Sequence, residues 1–140
     1  AREINNSMPN YTVELLQDAL NDIRLPMKGT NVGILGISYK ANVDDVRESP
    51  AIKIIECVKN YGANVLTYDP HILNRSSEKK LESILKKSQA IILVTNHNEF
   101  TSIEPKTWKK YGIKVIIDGR NCLKKDTIKK QGIIYKGIGR

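Results

Sequence analysis

The chain has 140 residues and carries 23 Lys and Arg against 15 Asp and Glu, a formal net charge of +8. This is the length of one ordinary domain, and 40% hydrophobic with 27% charged residues excludes disorder, a collagen-like repeat and a disulfide scaffold. Apolar residues recur every three to four positions over residues 2–24, which predicts a helix. Pro9 is expected to start or kink it, and a turn at residues 26–30 follows.

From residue 31 onward, short apolar runs alternate with helical stretches. Strands are predicted at residues 32–36, 65–68, 90–95, 115–117 and 133–135. Helices are predicted between them, near residues 50–61, 78–87, 105–110 and 124–131. Runs that are apolar at every position are typical of strands buried on both faces. The predicted fold is therefore α/β, with a Rossmann-like, doubly wound, mainly parallel five-stranded sheet over residues 31–140 and a long helix before it.

The positive charge is unevenly distributed along the sequence. Residues 1–70 hold 7 basic and 9 acidic residues (net −2), whereas residues 71–140 hold 16 and 6 (net +10). A basic half raises nucleic acid, an acidic membrane surface and a phosphorylated small molecule as partners. Much of the excess comes as five lysine pairs, which we interpret as solvated helix faces, because surfaces that bind nucleic acid favour Arg and interleaved aromatic residues.

The two cysteines, Cys57 and Cys122, have neither Cys-x-x-Cys spacing nor a companion His at metal-ligand spacing. Neither a zinc site nor a disulfide framework is indicated, and a reducing cytosolic compartment is expected. No apolar run approaches the length of a membrane span, and the first residues lack the layout of a signal peptide. Without a neighbouring base, Cys122 is not favoured as a nucleophile.

The loop after the first strand is the most unusual feature of the sequence. Ligands of open α/β sheets bind outside the carboxyl ends of the strands. A dinucleotide-binding turn would require glycines at the first, third and sixth positions from Gly36, but Ser38 and Ala41 occupy the last two. Ser49 and Pro50 also place the start of the next helix some ten residues later than such a turn would. A longer loop has therefore replaced the phosphate-binding turn.

Three side chains of this loop are suited to a nucleotide. Lys40 and Arg47 offer a point charge and a bidentate fork to phosphate oxygens, and Tyr39 can pack against a base or a ribose. The alternative is equally open: Arg47 pairs with Asp44 or Asp45 to pin the loop, and Lys40 faces solvent.

Other polar residues also follow predicted strands. Arg120 comes after the fourth strand, where it either faces the ligand crevice or pairs with Asp118. Asp69 is expected to initiate an Asp-Pro turn, because it lies about thirty residues beyond Gly36 rather than the twenty typical of a ribose-binding acid. His71 and His97 lack partners at a recognisable spacing and are expected to be ordinary loop residues.

Residues 36–51, GISYKANVDDVRESPA, closely resemble the signature that opens the C-terminal UDP-binding domain of the UDP-glucose/UDP-N-acetylmannosamine dehydrogenase family. Three further segments agree in order. They are residues 1–11, similar to the family's linking helix, then Tyr68-Asp-Pro70 and Asp118-Gly-Arg120. The resemblance implies that residues 1–25 link this domain to a middle domain. It also implies that Tyr39, Lys40 and Arg120 bind the UDP-sugar and that Arg47 reaches the NAD phosphates.

The family oxidises the primary alcohol of a UDP-sugar to a carboxylate in two NAD-dependent steps, through a thiol-linked intermediate on a catalytic cysteine. Neither cysteine of this chain matches that position, so the resemblance implies a fragment that holds substrate but does not turn it over. The whole protein is expected to be a cytosolic homo-oligomer that serves polysaccharide biosynthesis and binds neither membrane nor nucleic acid.

Within the family, Ser-Tyr-Lys followed by Asn-Val-Asp-Asp is more similar to the branch that acts on UDP-N-acetylmannosamine. A UDP-glucose or UDP-N-acetylglucosamine substrate remains an alternative. Two hypotheses of other classes also remain open: a basic nucleic-acid-binding module, and a structural role in which residues 1–24 pack on a partner subunit.

Overall fold

The structure is a computed structural model that describes residues 2–42 and 49–139, apart from the side chains of residues 2–7. The helices are α1 (Arg2–Asp22), α2 (Ala51–Asn60), α3 (Leu81–Lys87), α4 (Asn98–Thr101), α5 (Pro105–Lys110) and α6 (Lys125–Lys130). The strands are β1 (Asn31–Leu35), β2 (Asn64–Tyr68), β3 (Ala90–Leu93), β4 (Val115–Asp118) and β5 (Ile134–Gly137).

All four strand pairings are parallel, and the strand order in the sheet is β2-β1-β3-β4-β5. The predicted doubly wound parallel sheet is confirmed. After β1 the chain moves to one side to form β2 and then crosses back to form β3 on the other side. The carboxyl ends of β1 and β3 therefore flank the topological switch point, where ligands of such sheets bind.

The sheet separates two hydrophobic layers. β3 and β4 are buried along their whole length, as their uninterrupted apolar runs predict. Side chains of α1 and α2 cover one face, and those of α3, α4, α5 and α6 cover the other. Successive residues of a strand point to opposite faces, so Ile92 packs against the first layer while Ile91 and Leu93 pack against the second.

Helix α1 completes the layer that the crossover helices leave half covered. Only α2 lies on that face among the helices that connect strands, and α1 packs beside it against β4 and β5. Val13, Leu16, Ala19 and Leu20 are at most 1% exposed. The apolar stripe is thus satisfied within the chain over these residues, which removes the reason to expect a partner subunit there.

The ends of several elements differ from the sequence expectation. Helix α2 begins at Ala51, and Pro50 rather than Ser49 precedes its first turn; the Ser49 hydroxyl still accepts the N–H of Ala51 at 3.2 Å. The four-residue helix α4 and a 3-10 turn at Leu73–Arg75 were not predicted. Among the described residues, no helix combines the length and the apolar character needed to cross a membrane.

Candidate functional site

A cleft opens at the switch point, and we name it the carboxyl-edge cleft. Its cavity has a volume of about 140 Å³ and lies between the end of β3, the start of α2 and the N-terminal half of α1. Tyr39 from the loop after β1 lines it, as do Gly119 and Arg120 from the loop after β4. Two of the predicted substrate-binding residues, 81 positions apart in the chain, therefore share one cavity.

The third predicted residue, Lys40, lies on the same loop but outside the cavity wall. Tyr39 is 42% exposed, and Lys40 and Arg120 are also exposed. Within residues 2–42 and 49–139, neither cation forms an ion pair. Both charges are thus available to an anion, whereas Arg47, the residue predicted to reach NAD, lies outside the described residues.

The alternative in which Arg120 pairs with Asp118 is not what the structure shows. The Asp118 carboxylate is fully buried and accepts the backbone N–H groups of Arg120 (3.1 Å) and Leu123 (2.8 Å) and the hydroxyl of Tyr135 (2.6 Å). Its hydrogen bonds shape the loop after β4. The main chain of Arg120 is held by Asp118 while its guanidinium stays exposed.

Two glycines allow the loops to approach β3 closely. Gly36 has a φ of +101°, and a Cβ atom there would lie 2.5 Å from the Thr95 side chain. A Cβ atom on Gly119 would lie 2.6 Å from the carbonyl oxygen of Leu93, the atom to which the Gly119 N–H donates. Any larger residue would push these loops away from the cleft.

The first turn of the loop after β1 is anchored by Asp69 at the end of β2. Its Oδ2 atom accepts the N–H groups of Ile37 (2.7 Å) and Ser38 (2.9 Å) and Nε2–H of His97 (3.0 Å), and its Oδ1 atom accepts the N–H of His71 (2.9 Å). Burial alone would raise the pKa of Asp69, but these hydrogen bonds, led by that of His97, hold it well below its usual range.

Asp69 therefore does more than initiate the expected turn, since it joins the loops after β1 and β2. His97 is likewise not the ordinary loop residue expected: its ring is buried, and its Nδ1 atom accepts the N–H of Asn42 at 2.7 Å. Sequence reasoning missed this cluster. Because parallel strands end at one edge of a sheet, the positions just after β1, β2 and β3 predict that Ser38, Asp69 and His97 are neighbours.

Ser38, His97 and Asp69 are not arranged as a catalytic triad. A triad requires the His to accept the Ser proton at one ring nitrogen and donate to the Asp from the other. Here the Ser38 hydroxyl donates to Asp69 at 2.9 Å, and both residues contact the same atom, Nε2 of His97. Ser38 is also only 1% exposed, so the cluster is structural.

Thiol chemistry is not supported at Cys122. Burial, followed by the charge of Asp118, raises the pKa of the Cys122 thiol to about 12, so the reactive thiolate is scarce at neutral pH. Over the described part of the chain, no three His, Cys, Asp or Glu side chains are grouped to hold a metal ion.

The described residues do not form a dinucleotide site. The loop after β1 offers Gly36 as its one glycine, and α2 begins fifteen residues later at Ala51. A helix N-terminus directly after a glycine-rich turn, the usual cradle for a dinucleotide pyrophosphate, is therefore not formed by residues 31–42.

Comparisons with known proteins agree with this geometry. A model of the UDP-binding domain of the UDP-glucose/GDP-mannose dehydrogenase family matches residues 33–125. The UDP-N-acetyl-D-mannosamine dehydrogenase of Pyrococcus horikoshii is 38% identical over 100% of this chain and 32% of its own length. The UDP-glucose 6-dehydrogenase of Rickettsia bellii is 35% identical over 96% of this chain and 33% of its own.

Solved structures give the same result. The UDP-D-ManNAc dehydrogenase of P. horikoshii superposes with a TM-score of 0.90 at 37% identity, over 99% of this chain and 32% of that one. The NDP-N-acetyl-D-galactosaminuronic acid dehydrogenase of Methanosarcina mazei superposes with a TM-score of 0.93 at 32% identity, over 99% and 30%. The chain thus spans about a third of the length of these relatives.

Proposed function

The chain belongs to the UDP-glucose/GDP-mannose dehydrogenase family through its UDP-binding domain, and from this premise we propose that its carboxyl-edge cleft binds the UDP moiety of UDP-N-acetyl-D-mannosamine. The observation that carries the proposal is the meeting of Tyr39 and Arg120 in one cavity at the switch point. Open α/β sheets bind nucleotides at this position.

Each of the three side chains has a distinct role in the proposed complex. The Arg120 guanidinium presents paired N–H donors to the oxygens of the pyrophosphate, and Lys40 contributes a mobile positive charge. The exposed ring of Tyr39 supplies a flat surface for the uracil or the ribose. Neither cation must leave an ion pair with a described residue before it binds.

For the whole protein, we propose a dehydrogenase that converts UDP-N-acetyl-D-mannosamine to its uronate by two successive hydride transfers to NAD, through an intermediate on a catalytic cysteine outside this chain. Relatives named for N-acetyl-D-mannosamine support this sugar, and a relative named for UDP-glucose keeps that alternative open. This chain alone is expected to be inactive. Arg47 as an NAD contact, the linking role of residues 1–25, the cytosolic location and the homo-oligomeric assembly stay predictions.

Calorimetric titration of the chain with UDP tests the proposal. We expect Arg120→Ala to weaken UDP binding by about tenfold or more, because a charge-assisted hydrogen bond contributes about 1.5–3 kcal/mol. Lys130→Ala is the matched control, since Lys130 is an exposed cation in the last turn of α6, remote from the cleft.

Three results would contradict the proposal: no heat of binding at millimolar UDP, equal losses in both variants, or preference for duplex DNA over UDP. UDP-N-acetyl-D-mannosamine and UDP-glucose titrated in parallel then compare the sugars. NAD serves as a further ligand that is not expected to bind this cleft.

A further inference from the structure

The short segment that carries Tyr39 and Lys40 has no strand or helix of its own to fix it. Residues 38–42 form bends and turns between β1 and the start of α2. Ser38 and Asn42 flank the two proposed ligand-binding residues, and both are hydrogen-bonded to the ring of His97. A single buried side chain thus contacts both sides of the segment.

We propose that His97 is the positioning residue of the nucleotide site: it sets the conformation of residues 38–42 and thereby presents Tyr39 and Lys40 to the ligand. This rests on the proposed function, in that Tyr39 and Lys40 are taken to bind the nucleotide. His97 itself is 0% exposed. Nδ1 is the ring nitrogen without a substitute, because Ser38 on the other side is also held by Asp69 through its N–H and its hydroxyl, and the ring does not touch the ligand.

The hydrogen-bond donors around the ring require one tautomer. The backbone N–H of Asn42 can only donate, so Nδ1, at 2.7 Å, must accept and carries no proton. The proton is then on Nε2, which faces the Asp69 carboxylate at 3.0 Å and the Ser38 hydroxyl oxygen at 2.8 Å. The ring is therefore held as the neutral Nε2–H form.

Asn42 is held by a second hydrogen bond from the same loop. Asn42 has a φ of +60°, a conformation that non-glycine residues adopt at some cost. The backbone N–H of Asn42 donates to His97, and the side-chain Oδ1 of Asn42 accepts the N–H of Asn98, the residue that follows His97, at 3.1 Å. Without His97, the buried acceptor that compensates this backbone strain is lost.

The ring is itself fixed from other sides, so it can act as a rigid support. Phe100 packs against it with ring centroids 5.5 Å apart, and the ring centroid of His71 lies 4.7 Å from that of His97. The Asp69 carboxylate that receives Nε2–H is held by three backbone N–H groups. Rigid support of this kind preorganises a binding site and reduces the entropy lost on binding.

Three substitutions of His97 separate the two ring nitrogens. His97→Phe removes both hydrogen bonds while it retains an aromatic ring, and we expect it to raise the Kd for UDP about tenfold. An Asn side chain places its amide oxygen near the position of Nδ1, so His97→Asn should keep the Kd close to that of the unsubstituted chain. His97→Gln places its amide near Nε2 only, and should behave like His97→Phe.

Amide hydrogen exchange of the unliganded chain measures directly how firmly residues 38–42 are held. His97→Phe should accelerate exchange at the Asn42 amide about tenfold or more, while the amides of Ile34 and Ile92 stay protected and show that the sheet is intact. Tyr61→Ala is the matched control, because it removes an exposed aromatic ring at the C-terminal end of α2, away from His97. Long-range ¹H–¹⁵N spectra should show a protonated Nε2 and an unprotonated Nδ1 at His97.

The two proposals fail in different ways. If the unsubstituted chain does not bind UDP, the proposed function falls, and the exchange rates at residues 38–42 still decide whether His97 sets this segment. If UDP binds but His97→Phe leaves both the Asn42 exchange rate and the Kd unchanged, the positioning role is overturned. The same holds if His97→Asn is as defective as His97→Phe, or if Nδ1 carries the proton.

Discussion

The two edges of the sheet are built in opposite ways. At the amino edge, helices α2, α5 and α6 are each followed by a glycine with a φ between +80° and +86°. The N–H groups of these glycines, Gly62, Gly112 and Gly132, donate to the carbonyl of the lysine three residues earlier at 2.9–3.0 Å. The last turns of α3, α5 and α6 each carry a pair of lysines. Positive charge at the C-terminus of a helix is favourable for the helix dipole.

Among the described residues of the carboxyl edge, no such repeat occurs. Three different buried polar side chains, all 0% exposed, hold the described parts of the loops there. Asp69 binds the loops after β1 and β2, the Thr95 hydroxyl donates to the carbonyl of Ser38 at 2.6 Å, and Asp118 binds the loop after β4. The amino edge thus uses backbone geometry and surface charge, whereas the carboxyl edge uses specific buried hydrogen bonds. Three of the five lysine pairs therefore have a structural explanation, and the two cations of the proposed site, Lys40 and Arg120, lie at the other edge.

The largest expected effect comes from removal of a carboxyl-edge anchor. Asp69→Ala leaves the N–H groups of Ile37, Ser38 and His71 without their acceptor, and we expect the free energy of unfolding to fall by about 4 kcal/mol. Urea unfolding measures it. Glu56→Gln, at an exposed position in α2, should have little effect; similar losses in both variants would contradict the comparison of the edges.

The same anchor should make the stability sensitive to acid. Because the pKa of Asp69 is lower in the folded chain than in the unfolded one, its stabilisation is complete above the unfolded value, about pH 4. It is lost progressively as the pH falls below that value toward the lower folded pKa. Asp69→Asn should reduce the change of the urea unfolding midpoint between pH 4 and pH 2. If the midpoint of the variant changes with pH as much as that of the unsubstituted chain, the Asp69 carboxylate is not the cause of the acid sensitivity.

The next largest effect is expected from a glycine substitution at each edge, compared by the loss in the free energy of unfolding. Gly36→Ala adds a Cβ atom against Thr95 at a positive φ, and we expect a loss of about 3 kcal/mol. Gly112→Ala meets nothing within 4 Å at a φ of +81°, so only backbone strain of about 1 kcal/mol is expected. Thermal and urea unfolding measure both, and equal losses would show that the crowding at Gly36 is relieved by movement of Thr95.

The smallest effect is expected from the amino-edge lysines. Replacement of Lys109, Lys110, Lys129 and Lys130 by Gln should leave the Kd for UDP within about twofold, because charges beyond a Debye length of about 8 Å are screened. Titration at two salt concentrations measures this. A large loss of UDP affinity, or a loss of measurable affinity for duplex DNA, would assign these lysines a binding role.

Much of the fold could be predicted because strands buried on both faces read as uninterrupted apolar runs. The runs at residues 90–95 and 115–117 correspond to β3 and β4, with ends that moved by one or two residues. The buried face of α2 was less predictable: the sequence suggests a stripe of Ile52, Ile55 and Val58, but Ile52 is 42% exposed, and Ala51 and Ile54 are buried together with Val58. Which of two apolar faces is covered depends on α1, which local periodicity does not reveal.

The residues of the candidate site also fall into those that local sequence patterns predict and those that they do not. Tyr39, Lys40 and Arg120 were found because their residue types suit a nucleotide and their motifs match a family, although their binding roles stay predictions. The anchors Asp69 and His97 were missed as a pair, since residues 28 positions apart have no spacing that local pattern reading can detect. Their contact follows from the strand order, which places the ends of β2 and β3 on either side of β1.

Helix α1 has a consequence for the order in which the molecule can assemble. It comes first in this chain, yet it packs against β4 and β5, which are about a hundred residues away in sequence. Contacts between such distant segments form slowly, because a long loop must close before they add any stability. During synthesis the stripe from Val13 to Leu20 has α2 as an early neighbour, but its docking surface on the sheet is finished only when the last strand has left the ribosome.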